Sequence, residues 1–241
     1  MITKETTDFL NLDFQSGEVI LVDKPIGWTS FKVIHVIRKA VGVKKVGHAG
    51  TLDPLASGLL IVCTGKMTKN IDEYQAFEKT YTGTMLLGKS SPSMDLETEI
   101  IKERPFGGIT ESEILSVRNM FLGKILQIPP MYSAVKYKGK SLYKLARKGK
   151  SIIREPREIN ISGFEIKNIY LPYIEFEITC SKGTYIRAIA NDFGEKLGCG
   201  GLLSSLRRKY IGKYSVEKAI NVDEFVKRIK KSKEISPEYS M

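Results

Sequence analysis

Apolar residues recur along this chain at two spacings, and the alternation between them sketches the fold. Glu18 to Val22 and Leu59 to Cys63 are short, nearly unbroken apolar runs, as expected of strands buried on both faces. Between them Val33, Ile34, Ile37 and Val41 fall on one helical face, with Ser30 ahead of them as the expected N-cap. A helix is predicted from Thr68 to Tyr74, then a strand from Glu78 to Leu87 that places Tyr81, Gly83, Met85 and Leu87 on one side. Thr110 and Glu113 have capping-box spacing ahead of a helix carrying Ile114, Val117 and Phe121, which Gly123 is expected to end.

Beyond Pro129-Pro130, Val135 to Tyr137 and a helix from Ser141 to Lys148, stopped by Gly149, read as an excursion from the sheet. Glu158 to Lys167 and Tyr173 to Cys180 alternate as paired antiparallel strands, Tyr185 to Leu197 reads as a helix, and Gly198, Gly200 and Gly201 form a flexible break. A last amphipathic, basic helix covers about Val222 to Lys231. Strands alternating with helices in this hairpin-like order argue for an α+β fold with a mixed, largely antiparallel sheet.

The charge narrows the function classes. A net charge of +11 over 241 residues points to a polyanionic partner, and its distribution is more telling than its size. From Met131 to Arg157 nine Lys or Arg residues stand against the single Glu155, with Tyr132, Tyr137 and Tyr143 interleaved. Such cations neutralise phosphates and such rings stack on unpaired bases, so the segment reads as an RNA footprint. Cys63, Cys180 and Cys199 have neither metal-ligand spacing nor an even count, which fits reduced thiols in a cytoplasmic protein. No apolar run reaches membrane-spanning length, so no membrane partner is expected.

One segment carries chemistry. Gly47-His48-Ala49-Gly50-Thr51-Leu52-Asp53-Pro54 sets an aspartate in a glycine-rich turn ahead of an apolar strand, with Pro54 biasing Asp53 toward an extended conformation. An isolated Asp-Pro is most simply a turn. Here it is accompanied by Asp23-Lys24-Pro25-Ile26-Gly27-Trp28-Thr29-Ser30, Lys79-Thr80-Tyr81, Pro129-Pro130-Met131-Tyr132-Ser133-Ala134, Gly183-Thr184-Tyr185-Ile186-Arg187 and Leu206-Arg207-Arg208. Together, standing in family order along residues 18 to 210, the six motifs resemble the tRNA pseudouridine synthase B family.

The resemblance implies the pseudouridine synthase fold and the isomerisation of a T-loop uridine in tRNA, at position 55, with no cofactor and no metal. It implies Asp53 as the catalytic carboxylate, Arg187 as the cation that pairs with it, and Tyr81 as the ring that stacks on the uracil and takes part in proton transfer. His48 is implied to occupy the space the flipped base vacates, Tyr185 and Leu206 to line the uracil pocket, and Lys24 and Pro25 to wall the catalytic loop. Lys144, Arg147 and Lys148, with Arg207 and Arg208, are expected on the RNA backbone. Asp53 could attack C1′, add to C6 or abstract a ribose proton, and the residues do not choose among the three.

The expected organisation is a catalytic domain over residues 1–215 with an RNA-gripping insertion at about 129–157. A C-terminal helix and tail over 216–241 would follow, with no full PUA domain of the kind that longer relatives append. The partner is the T-arm of tRNA, and a monomer with no obligate protein partner is expected. The loop Gly88 to Asp95 departs from the family's more Thr- and Asp-rich pattern, which bears on its local contacts. A non-catalytic tRNA-binding protein and a guide-RNA-dependent synthase acting on rRNA are the competing readings.

Overall fold

The structure is a computed structural model in which residues 1–235 are described, so the final stretch of the expected C-terminal tail lies outside the described residues. The chain divides into two compact units, residues 1–79 with 207 onward, and residues 80–206. No described helix is long and apolar enough to cross a membrane.

The first unit opens with β1 (Val19–Lys24), α1 (Ser30–Val41), β2 (Val46–His48), β3 (Ala56–Thr64) and α2 (Ile71–Ala76). β1 and β3 pair antiparallel from Val19↔Cys63 to Lys24↔Gly58. Their unbroken apolar runs have a direct cause, because successive side chains enter two different cores. Ile20, Val22, Leu60 and Val62 pack with Val33, Ile34 and Ile37 of α1. Val19, Leu21, Leu59, Ile61 and Cys63 pack on the other side with Ile211, Val216 and Ala219. The N-cap of α1 is Thr29, whose side chain accepts from the Lys32 amide, and not Ser30. Ser30 has a buried task described below. The helix expected from Thr68 is split: a 3₁₀ turn over Gly65–Asn70 precedes α2.

The second unit begins within β4 (Lys79–Leu87), followed by a small pair, β5 (Lys89–Ser90) with β6 (Lys102–Glu103), and by α3 (Glu111–Asn119). The reciprocal Thr110–Glu113 capping box starts α3 as expected. Next come β7 (Gly123–Gln127), the hairpin β8 (Lys136–Tyr137) and β9 (Lys140–Ser141), α4 (Leu142–Ala146), β10 (Arg157–Tyr170), β11 (Tyr173–Cys180) and α5 (Ile186–Lys196). β10 pairs antiparallel with β11 and with β7, and Arg157 stands opposite Gln127. The basic insertion therefore leaves and re-enters the sheet at neighbouring positions, which is how an excursion can be long without disturbing the strands. Phe121, Phe164 and Phe193 form an aromatic core, their ring centroids 5.8 to 6.3 Å apart.

β12 (Gly201–Ile211) starts in the second unit, where the strand order is β12-β4-β11-β10-β7, and ends in the first, where it is β14-β1-β3-β12. β13 (Tyr214–Ser215) pairs with β12, and β14 (Ile220–Asn221) runs parallel to β1. α6 (Val222–Ile235) buries Val222, Phe225 and Ile229 in the cluster that holds Val33 and Ile37 of α1. The helix expected as part of a C-terminal appendage is thus integral to the first unit's core. The whole is a mixed, mostly antiparallel sheet flanked by helices.

Candidate active site

Asp53 sits where β2 has ended and β3 has not begun. His48 pairs with Val62 and the Ala49 amide donates to the Ile61 carbonyl at 2.9 Å, after which Gly50, at φ +98°, turns the chain out of the sheet. Two clamps fix the turn. The buried Ser30 hydroxyl accepts from the Leu52 amide at 2.9 Å and donates to the Leu52 carbonyl at 3.1 Å, and the Gly27 amide donates to the Pro54 carbonyl at 2.8 Å. The residue before Asp53 and the residue after it are therefore both held by the Lys24–Ser30 segment. Asp53 is half-buried, and its carbonyl accepts from the Ala56 amide at 3.1 Å. His48 is half-buried as well; burial, then the Arg208 charge, lowers its pKa against a backbone hydrogen bond with Gly50, so its imidazole is neutral at pH 7.

Lys24 is fully buried, donating from Nζ to the carbonyls of Pro25 at 3.0 Å and Trp28 at 2.6 Å. It is the internal brace of the segment that clamps Asp53. Burial lowers its pKa from 10.5 to about 8; Asp53 opposes that shift, Arg208 adds to it and Asp23 opposes it. Lys24 and Asp53 are thus coupled charges. Taken together these effects make the charged Lys24 about 3 kcal/mol less favourable in the folded chain below pH 8. Between about pH 8 and 10.5 the unfolded chain holds a proton that the folded chain has released, so this lysine's contribution makes stability rise with pH across that window. Activity should move the other way. Loss of the cation beside Asp53 is expected to lower the turnover rate as pH rises through about 8, whereas Lys24→Met should be slower and show no inflection there. A pH–rate profile of the two proteins checks this, and an unchanged inflection in the variant would assign it to another group.

Arg208 was expected on RNA, and the structure corrects that. It is 1% exposed, with Nε donating to the Leu59 carbonyl at 2.7 Å and Nη2 to the Gly50 carbonyl at 3.1 Å. It ties the start of the Asp53 loop to β3 and is out of reach of a phosphate. Arg207 is half-buried in a two-armed ion pair with Asp23, Nη1–Oδ1 3.0 Å and Nη2–Oδ2 2.7 Å, so it too has an internal partner. The close passage of β12 explains Gly58, whose φ is +106° and whose missing Cβ would stand 2.4 Å from the Arg208 carbonyl oxygen. Gly58→Ala is expected to destabilise the fold by about 2–4 kcal/mol, from the left-handed backbone and the clash together. Urea unfolding reads this, and a loss below about 1 kcal/mol would contradict it.

In the second unit, Arg187 on the first turn of α5 is only 4% exposed. Its fork is spread over three partners there: Nη1 to the Ser93 carbonyl at 2.9 Å, Nη2 to the Tyr132 carbonyl at 2.7 Å, and Nε facing Asp95 Oδ2 at 3.5 Å. Asp95 is itself buried and is the residue that the sequence reading missed as part of the site. It lies in the loop singled out for departing from the family pattern, whose signal was the Ser-Pro-Ser-Met-Asp run. Tyr185, at the N-cap of α5, is fixed by Gln127, which accepts from its amide at 2.8 Å and donates to its carbonyl at 3.0 Å. Tyr81 is 8% exposed on β4. Two residues along, Gly83 leaves room for the Ser205 carbonyl and for Leu206, the half-buried residue expected in the pocket wall.

Lys144, Arg147 and Lys148 are exposed on and just after α4, as an RNA grip requires. Only part of the aromatic expectation follows. Tyr137 is 43% exposed, but Tyr132 and Tyr143 pack edge to face on each other with centroids 5.8 Å apart.

A family model described as "TruB family pseudouridylate synthase (N terminal domain)" matches residues 38–186. The chain is 48% identical over 232 residues to a tRNA pseudouridine synthase B of Chloroherpeton thalassium, covering 94% of this chain and 96% of the relative. It is also 48% identical to one from Flavobacterium johnsoniae over 220 residues, 88% of this chain and 96% of the relative. Among solved structures it is similar to a chain of a Cbf5-Nop10-Gar1 complex, with a TM-score of 0.70 and 29% identity, covering 94% of this chain but only 59% of that one. The Asp53 turn, the buried Arg187 and these likenesses along nearly its full length agree: the chain belongs to the TruB family of pseudouridylate synthases.

Proposed function

We propose that the chain isomerises uridine to pseudouridine in tRNA, acting on the T-loop uridine at position 55. What carries the reading is an aspartate held in a turn clamped on both sides, in a chain 48% identical to tRNA pseudouridine synthases B over nearly its whole length. The reaction breaks the bond between N1 and C1′, turns the uracil and joins C5 to C1′, with a proton leaving C5 and one gained at N1. Nothing is oxidised or reduced, so the side chains supply nucleophile, cation and proton acceptor. Asp53 acts as the carboxylate, Arg187 as the cation that keeps it ionised, and Tyr81 as the stacking ring with a hydroxyl for proton transfer. Neutral His48 fills the place of the extruded base, Tyr185 and Leu206 hold the uracil, and Lys144, Arg147 and Lys148 take the phosphates. The enzyme works as a cytoplasmic monomer on the T-arm.

The likeness to a Cbf5 chain favours a second reading, a synthase that depends on a guide RNA. One assay separates them. Purified chain with unmodified tRNA labelled with tritium at uridine C5 should release tritium stoichiometrically with one pseudouridine per tRNA, without any other RNA or protein. Release only after a guide RNA is added would move the chain to the second reading, and binding with no release would leave a non-catalytic tRNA-binding protein.

A further inference from the structure

The basic insertion and Arg187 belong to one closed circuit of contacts. Starting from Arg187, Nη2 donates to the Tyr132 carbonyl at 2.7 Å, and the Tyr132 ring packs edge to face on Tyr143. The Tyr143 hydroxyl donates to Glu97 Oε1 at 2.7 Å, across 46 residues of sequence. The Glu97 amide donates to Asp95 Oδ1 at 2.9 Å, and Asp95 Oδ2 faces Arg187 Nε. Five residues from three separate segments thus return to the point of departure.

The insertion's outer side carries its cations on the same element. Tyr143 lies in the first turn of α4, whose start is strapped down by the Leu142 and Tyr143 amides donating to the Val135 and Ser133 carbonyls. The Arg147 guanidinium stands 5.8 Å from the Tyr143 ring, and Lys144 and Lys148 flank it. Tyr143 shares the short α4 and its C-terminal end with these cations, so the phosphate-facing side chains and the hydroxyl tether lie within about one helical turn of each other. The tether ends on the loop that holds Asp95. That loop is tightly determined: Met94 sits at φ +62°, the Ser93 hydroxyl exchanges bonds with Thr98, and the Asp95 carbonyl accepts from Ser91 and Ser93. These bonds tie the loop into one internally bonded unit, and Arg187 is held by two of its residues, Ser93 and Asp95.

We propose that the Tyr143–Glu97 hydrogen bond couples RNA grip by the insertion to the orientation of Arg187, making Tyr143 and Glu97 positioning residues for the reaction. This rests on the reading above, in which Arg187 serves the Asp53 carboxylate and the insertion holds the RNA. It assigns a task to two side chains that touch neither the uracil nor the phosphates. Tyr143 is spent on this contact and is not a stacking platform for bases.

The test is single-turnover pseudouridine formation with enzyme in excess over intact tRNA, alongside filter binding of the same RNA. Tyr143→Phe removes only the hydroxyl and keeps the ring against Tyr132 and Arg147. It is expected to lower the rate at saturation about tenfold with the Kd unchanged within about twofold, and Glu97→Ala should do the same. The double variant should be no slower than either single change, because both remove one bond. Glu97→Gln keeps an acceptor for the hydroxyl and should stay within about threefold of the native rate. A native saturating rate in Tyr143→Phe, a multiplicative loss of about a hundredfold in the double variant, a loss confined to Kd, or Glu97→Gln as slow as Glu97→Ala would each overturn the coupling. Absence of turnover by the native chain would instead sink the reading of function on which the coupling stands, so the two failures are distinct.

Discussion

Asp53→Ala is expected to abolish pseudouridine formation, a fall of at least about 10⁴-fold in rate or roughly 5.5 kcal/mol of transition-state stabilisation, while RNA binding stays within a few fold. The turn around Asp53 is held by bonds to the backbone on both sides of it. Leu52 is gripped through its backbone by Ser30, Pro54 through its carbonyl by Gly27, and Ala56 bonds to the Asp53 carbonyl, all of which survive the change. The variant should therefore fold, and affinity for RNA comes chiefly from phosphate contacts that Asp53 does not make. Asp53→Asn is the finer test because it keeps the shape and removes the charge; it should be as inactive as the alanine variant. Tritium release and filter binding on the same preparations read both quantities. Turnover by either variant within a hundredfold of native, on the order of 3 kcal/mol, would show that the carboxylate is not the reacting group.

Arg187→Lys is expected to lower kcat by about 10²–10³-fold, some 3–4 kcal/mol, although the charge is retained. The guanidinium reaches Ser93, Tyr132 and Asp95 from three different nitrogens, and a single ammonium cannot occupy the three positions. The lysine would leave a buried carbonyl unsatisfied and would draw toward Asp95, away from the orientation that the reaction uses. Some stability should be lost too, about 1–3 kcal/mol for a buried acceptor without its donor, which urea unfolding separates from the kinetic effect. Near-native kcat in a folded Arg187→Lys protein would mean that the cation's position does not matter to the chemistry, and Arg187 would then be a structural brace for the Ser93 and Tyr132 loops.

The sequence by itself determined most of the first unit, because its elements are set by local pattern. Val19–Val22 of β1 and Leu59–Cys63 of β3 are unbroken apolar runs since each faces two cores, and α1 shows its buried stripe at helical spacing; in the second unit the Thr110–Glu113 box marks a helix start in four residues. The β10–β11 pairing was legible for the same reason, as period-2 alternation. Six motifs in order carried the family and located Asp53 and Arg187, the two residues on which the proposed chemistry turns.

What only the tertiary structure decided is what depends on partners far apart in sequence. β12 reads Gly-Leu-Leu-Ser-Ser-Leu-Arg-Arg-Lys-Tyr-Ile, with neither alternation nor an apolar run, and β7 reads Gly-Lys-Ile-Leu-Gln with Leu126 exposed and Gln127 buried, the reverse of what polarity suggests. Both are strands because ladders with other strands recruit them, an energy that no local propensity records. Arg208 looks like a surface cation until Leu59 and Gly50 supply acceptors 149 and 158 residues away. Ser30 looks like an N-cap until Leu52 needs its hydroxyl, and the capping falls to Thr29. Asp95 and Glu97 look like ordinary loop acids until Arg187 and Tyr143 arrive beside them. In each case the residue type states which bonds a side chain can make, and only the packing of distant segments, which decides whether water or a protein group fills those bonds, states which ones it does make.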